Sequence, residues 1–254
     1  MIEELLAERA ADNLVETYLA VGSEGEGAKI DRFDEGVCCT SNLAHASSNF
    51  AIVRKQGPNV RRKVLPLARS RSSFNVYAIP GSHQDEIACT LENEGFVVAG
   101  RLAMMIGDNS KAKPCEGMRD CASFEDRIEA TRFMARQFFP RQTSSLRESI
   151  ALATAKAQGQ IFGIGPREPK AAAMVFRTAA MFGIYNVCVA PKERERGYGS
   201  VLVEGLLALA ARENTLATLQ CDPSLEPWYS RRGFKSIGMI LVYTLDQKLY
   251  HAIM

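Results

Sequence analysis

The chain has 254 residues, of which 46% are hydrophobic and 24% charged, enough apolar content for one large or two small packed domains. Its net charge of +2 gives no general pull toward nucleic acid or anionic membranes. Seven cysteines, an odd number with no C-x-x-C spacing, and three scattered histidines (His45, His83, His251) exclude a patterned zinc site and point to reduced, buried thiols. No segment approaches the roughly 18 apolar residues of a membrane span. The acidic start, Met1-Ile-Glu-Glu-Leu-Leu, is unlike a secretory leader, so a soluble cytoplasmic protein is expected.

In chain order, Ile2, Leu5, Leu6, Leu14, Val15, Tyr18 and Leu19 share one helical face, with Glu3, Glu4, Glu8 and Glu16 on the other. This first helix should end near Gly22. The stretch to Ala51 has no clear period. Residues Arg54 to Arg71 hold seven basic side chains and no acidic one; such runs are usually solvated loops, the alternative being a contact for an acidic substrate or nucleic acid. Aromatics do not interleave the run, which speaks against a single-strand stacking platform. Phe74 to Ile79 reads as a strand, His83 to Glu94 as a helix with Ile87 and Leu91 inward, and Phe96 to Ile106 as a second strand.

Polar residues from Gly107 to Asp120 mark a domain boundary, dividing the chain into 1–118 and 119–254. Beyond it, Ser123 and Asp126 form a capping pair for a helix that Pro140 ends. A second helix spans Thr143 to Ala157. Three strands follow, at Gln160–Gly165, Ala171–Arg177 and Phe182–Val189; the third is an almost unbroken apolar run, as in strands covered on both faces. The helix from Gly199 to Arg212 is apolar nearly all round, which predicts deep burial. Gly205 within it suggests a close backbone approach. Leu216 to Cys221 is a strand, Leu225 to Arg231 a short helix, and Phe234 to Leu245 one long strand or a pair.

The stretch richest in chemistry is Asn186-Val-Cys-Val-Ala-Pro-Lys-Glu-Arg-Glu-Arg-Gly-Tyr-Gly-Ser200. An apolar strand ends at a proline, a charged loop follows, and a helix begins at the glycines. Unpaired N–H groups at a helix start, with its dipole, suit a phosphate or pyrophosphate. Gly197 and Gly199 let an anion approach the backbone, and Arg194 and Arg196 add positive charge. The Walker pattern fails for want of its lysine, and the dinucleotide pattern fails because residue 202 is Leu.

The stretch resembles the acyl-CoA-binding motif of the GNAT superfamily of N-acyltransferases, Arg/Gln-x-x-Gly-x-Gly/Ala after a Val-x-Val-x-Pro strand end. Here Val187-x-Val189-x-Pro191 precedes Arg194-x-x-Gly197-x-Gly199, and the family's later Tyr-x-x-x-Gly-Phe occurs as Tyr229 to Phe234. The resemblance covers about residues 119–245. It implies an α/β fold with a mixed, mostly antiparallel sheet flanked by helices, and acetyl-CoA as co-substrate for an amine acceptor. The strand–helix–Gly95-Phe96–strand ending of the N-terminal half looks similar to a degenerate second copy, which would put two such units in tandem.

By the resemblance, the backbone around Val187, Cys188 and Val189 holds the pantetheine arm. Arg194, Glu195, Arg196, Gly197, Tyr198, Gly199 and Ser200 hold the pyrophosphate. Tyr229 matches the tyrosine that protonates the departing thiolate, and Trp228 either lines the pocket or packs. Some relatives carry a glutamate base on the strand before the motif; near that place this chain has Gly183 and Ile184. Asp222, Glu226, a water chain or an acceptor that is already neutral remain as alternatives. Cys188 and Cys221 could in principle carry an acyl group, but direct attack in a ternary complex is the simpler route. A non-catalytic acyl-CoA sensor is the alternative function, and nucleic acid is not expected as a partner.

Overall fold

The computed structural model describes residues 2–166 and 168–245. Met1, the side chain of Ile2, Arg167 and residues 246–254 lie outside that description, and with them His251 and the last part of the 119–254 unit.

Eleven strands form one sheet. They are β1 (Lys29–Phe33), β2 (Gly36–Thr40), β3 (Phe50–Val53), β4 (Asn75–Ala78), β5 (Phe96–Gly107), β6 (Met118–Asp120), β7 (Gln160–Ile164), β8 (Ala171–Arg177), β9 (Met181–Val189), β10 (Leu216–Cys221) and β11 (Phe234–Leu245). Their order is β1-β2-β3-β4-β11-β5-β10-β9-β8-β7-β6, and every neighbouring pair is antiparallel except β3·β4 and β9·β10.

The order carries an internal symmetry. Strands β1 to β5 and β7 to β11 repeat one pattern: two antiparallel pairings, then a parallel one, then an antiparallel pairing to the last strand of the other half. So β5 lies between β10 and β11, while β11 lies between β4 and β5. The two exchanged strands pair along their whole lengths, from Phe96↔Leu245 to Gly107↔Phe234. The sheet thus runs unbroken across residue 118.

Helices cover both faces. They are α1 (Ile2–Gly22), α2 (Leu65–Ser70, entered through a π-helical turn at Val60–Val64), α3 (Gln84–Asn93), α4 (Phe124–Phe138), α5 (Ser144–Lys156), α6 (Tyr198–Arg212) and α7 (Glu226–Ser230). Adjacent strand residues point to opposite faces: Cys38 packs with α2 and α3, while Cys39 packs with α1. One face carries α2, α3, α6 and α7, and the other carries α1, α4 and α5.

Local chemistry sets the helix ends. The Ser123 hydroxyl accepts from Asp126 N at 3.1 Å and starts α4. Arg127 donates to the carbonyls of Ala155, Ala157 and Gly159 at 2.6–2.7 Å and so seals the end of α5. Gly205 lies so close to the loop over α6 that a Cβ there would sit 2.4 Å from Cys115 Cβ.

Two expectations are corrected and two open points are settled. Leu5 is 47% exposed, because the packed part of α1 begins only at Ala10. The basic run is a loop only at its start: Val60–Ser70 is helical, with Val60, Val64 and Leu65 buried. Four of its seven charges are engaged on the protein's own surface, Arg61 and Arg69 with Glu94, Lys63 with Asp31 and Arg54 with Asp12. The polar segment 107–120 contains a short edge strand, β6, paired with β7. The long final strand is single rather than a hairpin.

Candidate active site

Strands β9 and β10 run side by side only from Leu216↔Met181 to Leu219↔Ile184. Beyond that point they part. β10 continues along β5 through Cys221, while β9 follows β8 to Val189. The cause is a bulge: between Ala172↔Cys188 and Met174↔Tyr185, β9 has one extra residue, and Asn186 takes a positive φ of 53°. Past the bulge, Ala190 N donates to Lys170 O on the β8 side at 2.8 Å. Alternation of backbone groups along a strand therefore turns those of Val189 and Val187 toward the gap.

The gap leads into the loop before α6. After Ala190, one 3₁₀ turn (Pro191–Glu193) reverses the chain. Glu195 (φ 65°) and Gly197 (φ 84°) are both left-handed, which bends the backbone into a concavity of the kind that gathers N–H groups around an anion. Gly197 is the N-cap of α6, and no atom lies within 4 Å of where its Cβ would be. A Cβ on Gly199 would lie 3.3 Å from Val189 Cγ2 and 3.5 Å from Trp228 Cζ2, so the helix start abuts the strand end. Arg194 lines the cleft, whereas Arg196 pairs with Glu193 at 3.2 Å. Lys170 donates to the Tyr198 hydroxyl at 3.0 Å and lies over its ring.

These elements enclose a cleft of about 630 Å³. Val187, Cys188, Val189, Arg194, Glu195, Gly197, Tyr198, Gly199 and Ser200 all line it, as do Trp228 and Tyr229; Arg196 alone of the predicted set does not. Tyr229 is 6% exposed. Gly233, at φ 87°, closes α7 and sends Phe234 inward, where its ring meets Tyr229 edge-on at 5.7 Å. Trp228 crosses Tyr229 edge-on at 4.8 Å. Burial raises the Tyr229 phenol above its ordinary range, with Cys221 adding to the shift and Arg232 opposing it. Its hydroxyl has no hydrogen-bond partner among the described residues.

Burial also pushes the Cys188 thiol to about 12 and that of Cys221 to about 11, which leaves neither as a ready nucleophile. Asp222 accepts from Ser224 N and Oγ at 2.9 and 2.6 Å, bonds that hold its carboxyl below the usual range. Glu226 does not line the cleft.

The place of the absent carboxylate has a structural cause. A Cβ on Gly183 would fall 1.9 Å from Asn13 Oδ1. Asn13, fully buried on α1, donates through Nδ2 to Phe176 O at 3.0 Å and Met181 O at 3.3 Å, and its Oδ1 accepts from the Tyr185 hydroxyl at 2.6 Å. The N-terminal helix thus occupies the position from which a side chain on β9 would project.

Sequence reading missed several contributors. Arg232 stacks 3.5 Å over Trp228, donates to Trp228 O at 2.6 Å and bonds the Ser200 hydroxyl. Its spacing of four from Trp228 on a helical turn was the available signal. Asn13 and Phe138 gave none. Among the described residues no cluster of His, Cys, Asp or Glu could hold a metal ion, and no helix is long and apolar enough to cross a membrane.

The fold is that of the GNAT acetyltransferases. A GCN5-related N-acetyltransferase from Kribbella flavida superposes with a TM-score of 0.64 at 15% identity, over 93% of this chain and 94% of the other. A protein assigned to the GNAT acetyltransferases from Novosphingobium aromaticivorans gives 0.58 at 15%, over 86% and 92%. A tandem GNAT protein from the clavulanic acid biosynthesis pathway gives 0.55 at 13%, over 87% and 85%. No protein-family model matches the chain, and no curated protein matches it in sequence.

Proposed function

We propose that the protein is an acyl-CoA-dependent N-acyltransferase that moves an acetyl group from acetyl-CoA to an amine by direct attack. The observation that carries this reading is the parting of β9 from β10 beside a left-handed, glycine-capped helix start, with an unpaired tyrosine hydroxyl on the same cleft. The loop amides from Arg194 to Ser200 and the α6 dipole suit the pyrophosphate. The free backbone of Val187 and Val189 suits the pantetheine amides, which would add as a strand. The amine nitrogen bonds the acyl carbon, the carbon–sulfur bond breaks, and Tyr229 gives its proton to the thiolate. Burial keeps that phenol protonated until the thiolate forms.

In this reading the N-terminal half is a degenerate GNAT unit, supported by the repeated strand pattern and by the matching Gly95-Phe96 and Gly233-Phe234 turns, both glycines having positive φ. Its counterpart of the anion loop is filled from within. Glu35, 3% exposed, accepts from Asn59 N at 3.2 Å and Asn59 Nδ2 at 2.8 Å, where the helix from Val60 begins. A carboxylate there stands where a phosphate would be held.

The second reading, an acyl-CoA sensor without turnover, draws on the displacement of any β9 carboxylate by Asn13. Calorimetric titration with acetyl-CoA, paired with Gly197→Glu, tests binding, and thiol release in an amine screen tests turnover. Absent binding of any acyl-CoA refutes both readings, and binding without turnover of any amine selects the sensor.

A further inference from the structure

A second cavity, of about 340 Å³, lies on the opposite face, among α1, α4, α5 and the loop at His45. It adjoins the acyl cleft at two places. Phe138 lines both, and along β9 Tyr185 and Asn186 line this cavity while Val187 to Val189 line the cleft. Both halves of the chain wall it: Tyr18, His45 and Tyr77 from one, Met134, Phe139 and Tyr185 from the other.

Among the described residues, no carboxylate, lysine or arginine lines the cavity. Its titratable groups are His45 and the tyrosines Tyr18, Tyr77 and Tyr185. Burial raises all three phenols and lowers the imidazole, so each is neutral near pH 7. Hydrogen bonding places the proton of His45. Ser47 N donates to Nδ1 at 3.1 Å, and the Ser47 hydroxyl lies 3.0 Å from the same nitrogen. The neutral ring therefore carries its proton on Nε2 and serves as a donor rather than a base.

We propose that this cavity is the acceptor pocket, and that the acceptor is a primary amine on a compact aromatic body with no other charge. The inference rests on the acyltransferase reading above. The volume is near the lower end of small-molecule sites, and the walls offer aromatic edges and a few donors. An ammonium group would enter without an ionic partner, so burial favours the free base. The free base is also the nucleophile, which agrees with the absence of a carboxylate at Gly183. After attack, the surplus proton on nitrogen passes to water, the thiolate takes the proton of Tyr229, and Tyr229 is reprotonated from water. His45 Nε2–H binds an acceptor atom on the aromatic body, such as a ring hydroxyl. Amino acids, polyamines and lysine peptides bring charges that the pocket cannot pair.

The test is thiol release from acetyl-CoA by the full chain with tyramine, tryptamine, 2-phenylethylamine, spermidine, glutamate and a lysine peptide, with acetyl-CoA binding measured alongside. The aromatic amines should exceed the charged ones in kcat/KM by about 100-fold or more. Ala135→Phe, which fills the cavity, should raise the aromatic-amine KM at least about tenfold and leave acetyl-CoA affinity unchanged. Should that variant fail to fold, His45→Phe should raise KM for tyramine more than for 2-phenylethylamine. Preference for a charged amine, or unchanged acceptor KM in the variant that folds, overturns the inference while acetyl-CoA binding preserves the underlying reading. Loss of acetyl-CoA binding in the parent chain overturns both.

Discussion

Gly183→Ala is the smallest change that should expose how the N-terminal helix shapes the site. The new methyl would lie 1.9 Å from Asn13 Oδ1 and 2.5 Å from Tyr185 Cε2. Neither neighbour can retreat freely, because Asn13 is tied to Phe176 O and Met181 O, and Tyr185 to Asn13 itself. Overpacking costs about 1–3 kcal/mol, and each buried group left without its partner about 1–3 more. A loss of about 3–5 kcal/mol follows, a large part of the roughly 5–15 kcal/mol that holds a domain together. Asn13→Ala alone should cost about 1–3 kcal/mol by taking the acceptor from the Tyr185 hydroxyl and the extra donor from Phe176 O and Met181 O, the latter keeping its bond from Thr178 N. The double variant should cost at least about 1 kcal/mol less than the two added, since Asn13→Ala vacates the space the methyl needs. Urea unfolding of the four proteins, followed by circular dichroism, measures the cycle. Additivity within about 0.5 kcal/mol would refute the steric conflict, and with it the explanation for the missing carboxylate. Gly183→Glu should fare worse than Gly183→Ala and supply no base.

Tyr229→Phe should lower kcat by about 10²–10³-fold and leave acetyl-CoA affinity and thermal stability in place, because the hydroxyl bonds nothing among the described residues; unchanged turnover removes it from the mechanism. On the proposed two-unit reading, calorimetry should find one acetyl-CoA per chain, since Glu35 fills the loop before Val60, and two equivalents would contradict that. Burial raises the Glu35 carboxyl, but hydrogen bonds from Asn59 and nearby groups outweigh it and set the folded value below the ordinary 4.5. Its contribution to stability is therefore present above 4.5 and lost as pH falls through the lower folded value, and Glu35→Gln should flatten that part of an acid-unfolding profile. Arg127→Lys should cost about 2–4 kcal/mol in thermal or urea unfolding, because a single ammonium cannot reach three carbonyls spread over Ala155 to Gly159.

The sequence exposes what is local. Ser123 with Asp126 starts a helix, the Val-x-Val-x-Pro and Gly197-x-Gly199 spacings locate the left-handed loop before α6, and Gly233-Phe234 ends the short helix behind Tyr229, all within a few residues of their partners. The residues between Thr40 and Phe50 showed no pattern because their bonds are irregular, Asn49 reaching Ser41 N and the carbonyls of Leu43 and His45. The basic run concealed a helix because its apolar contacts, Val60, Val64 and Leu65, are few among the charges. Least legible were contacts across the chain. Asn13 meets Tyr185 from 172 residues away. A polar residue on an amphipathic helix, read alone, belongs on the solvent side.

Those distant contacts explain why the cleft between β9, β10 and α6 cannot be understood as a property of the C-terminal half. The parting of β9 from β10 needs β10 to be held on its other side, and the strand that holds it is β5, from the N-terminal half. The same face of β9 is packed by α1 through Asn13 and closed toward the second cavity by Tyr18 and the loop at His45. In return β11, which follows Tyr229, completes the N-terminal sheet beside β4. Each half thus supplies the strand that the other lacks, so under the proposed two-unit reading the loss of an anion site in one half need not reduce selection on its packing. On the proposed reading, a unit that binds no acyl-CoA of its own would still set the position of the strand edge, the tyrosine and the proposed acceptor walls in its partner half.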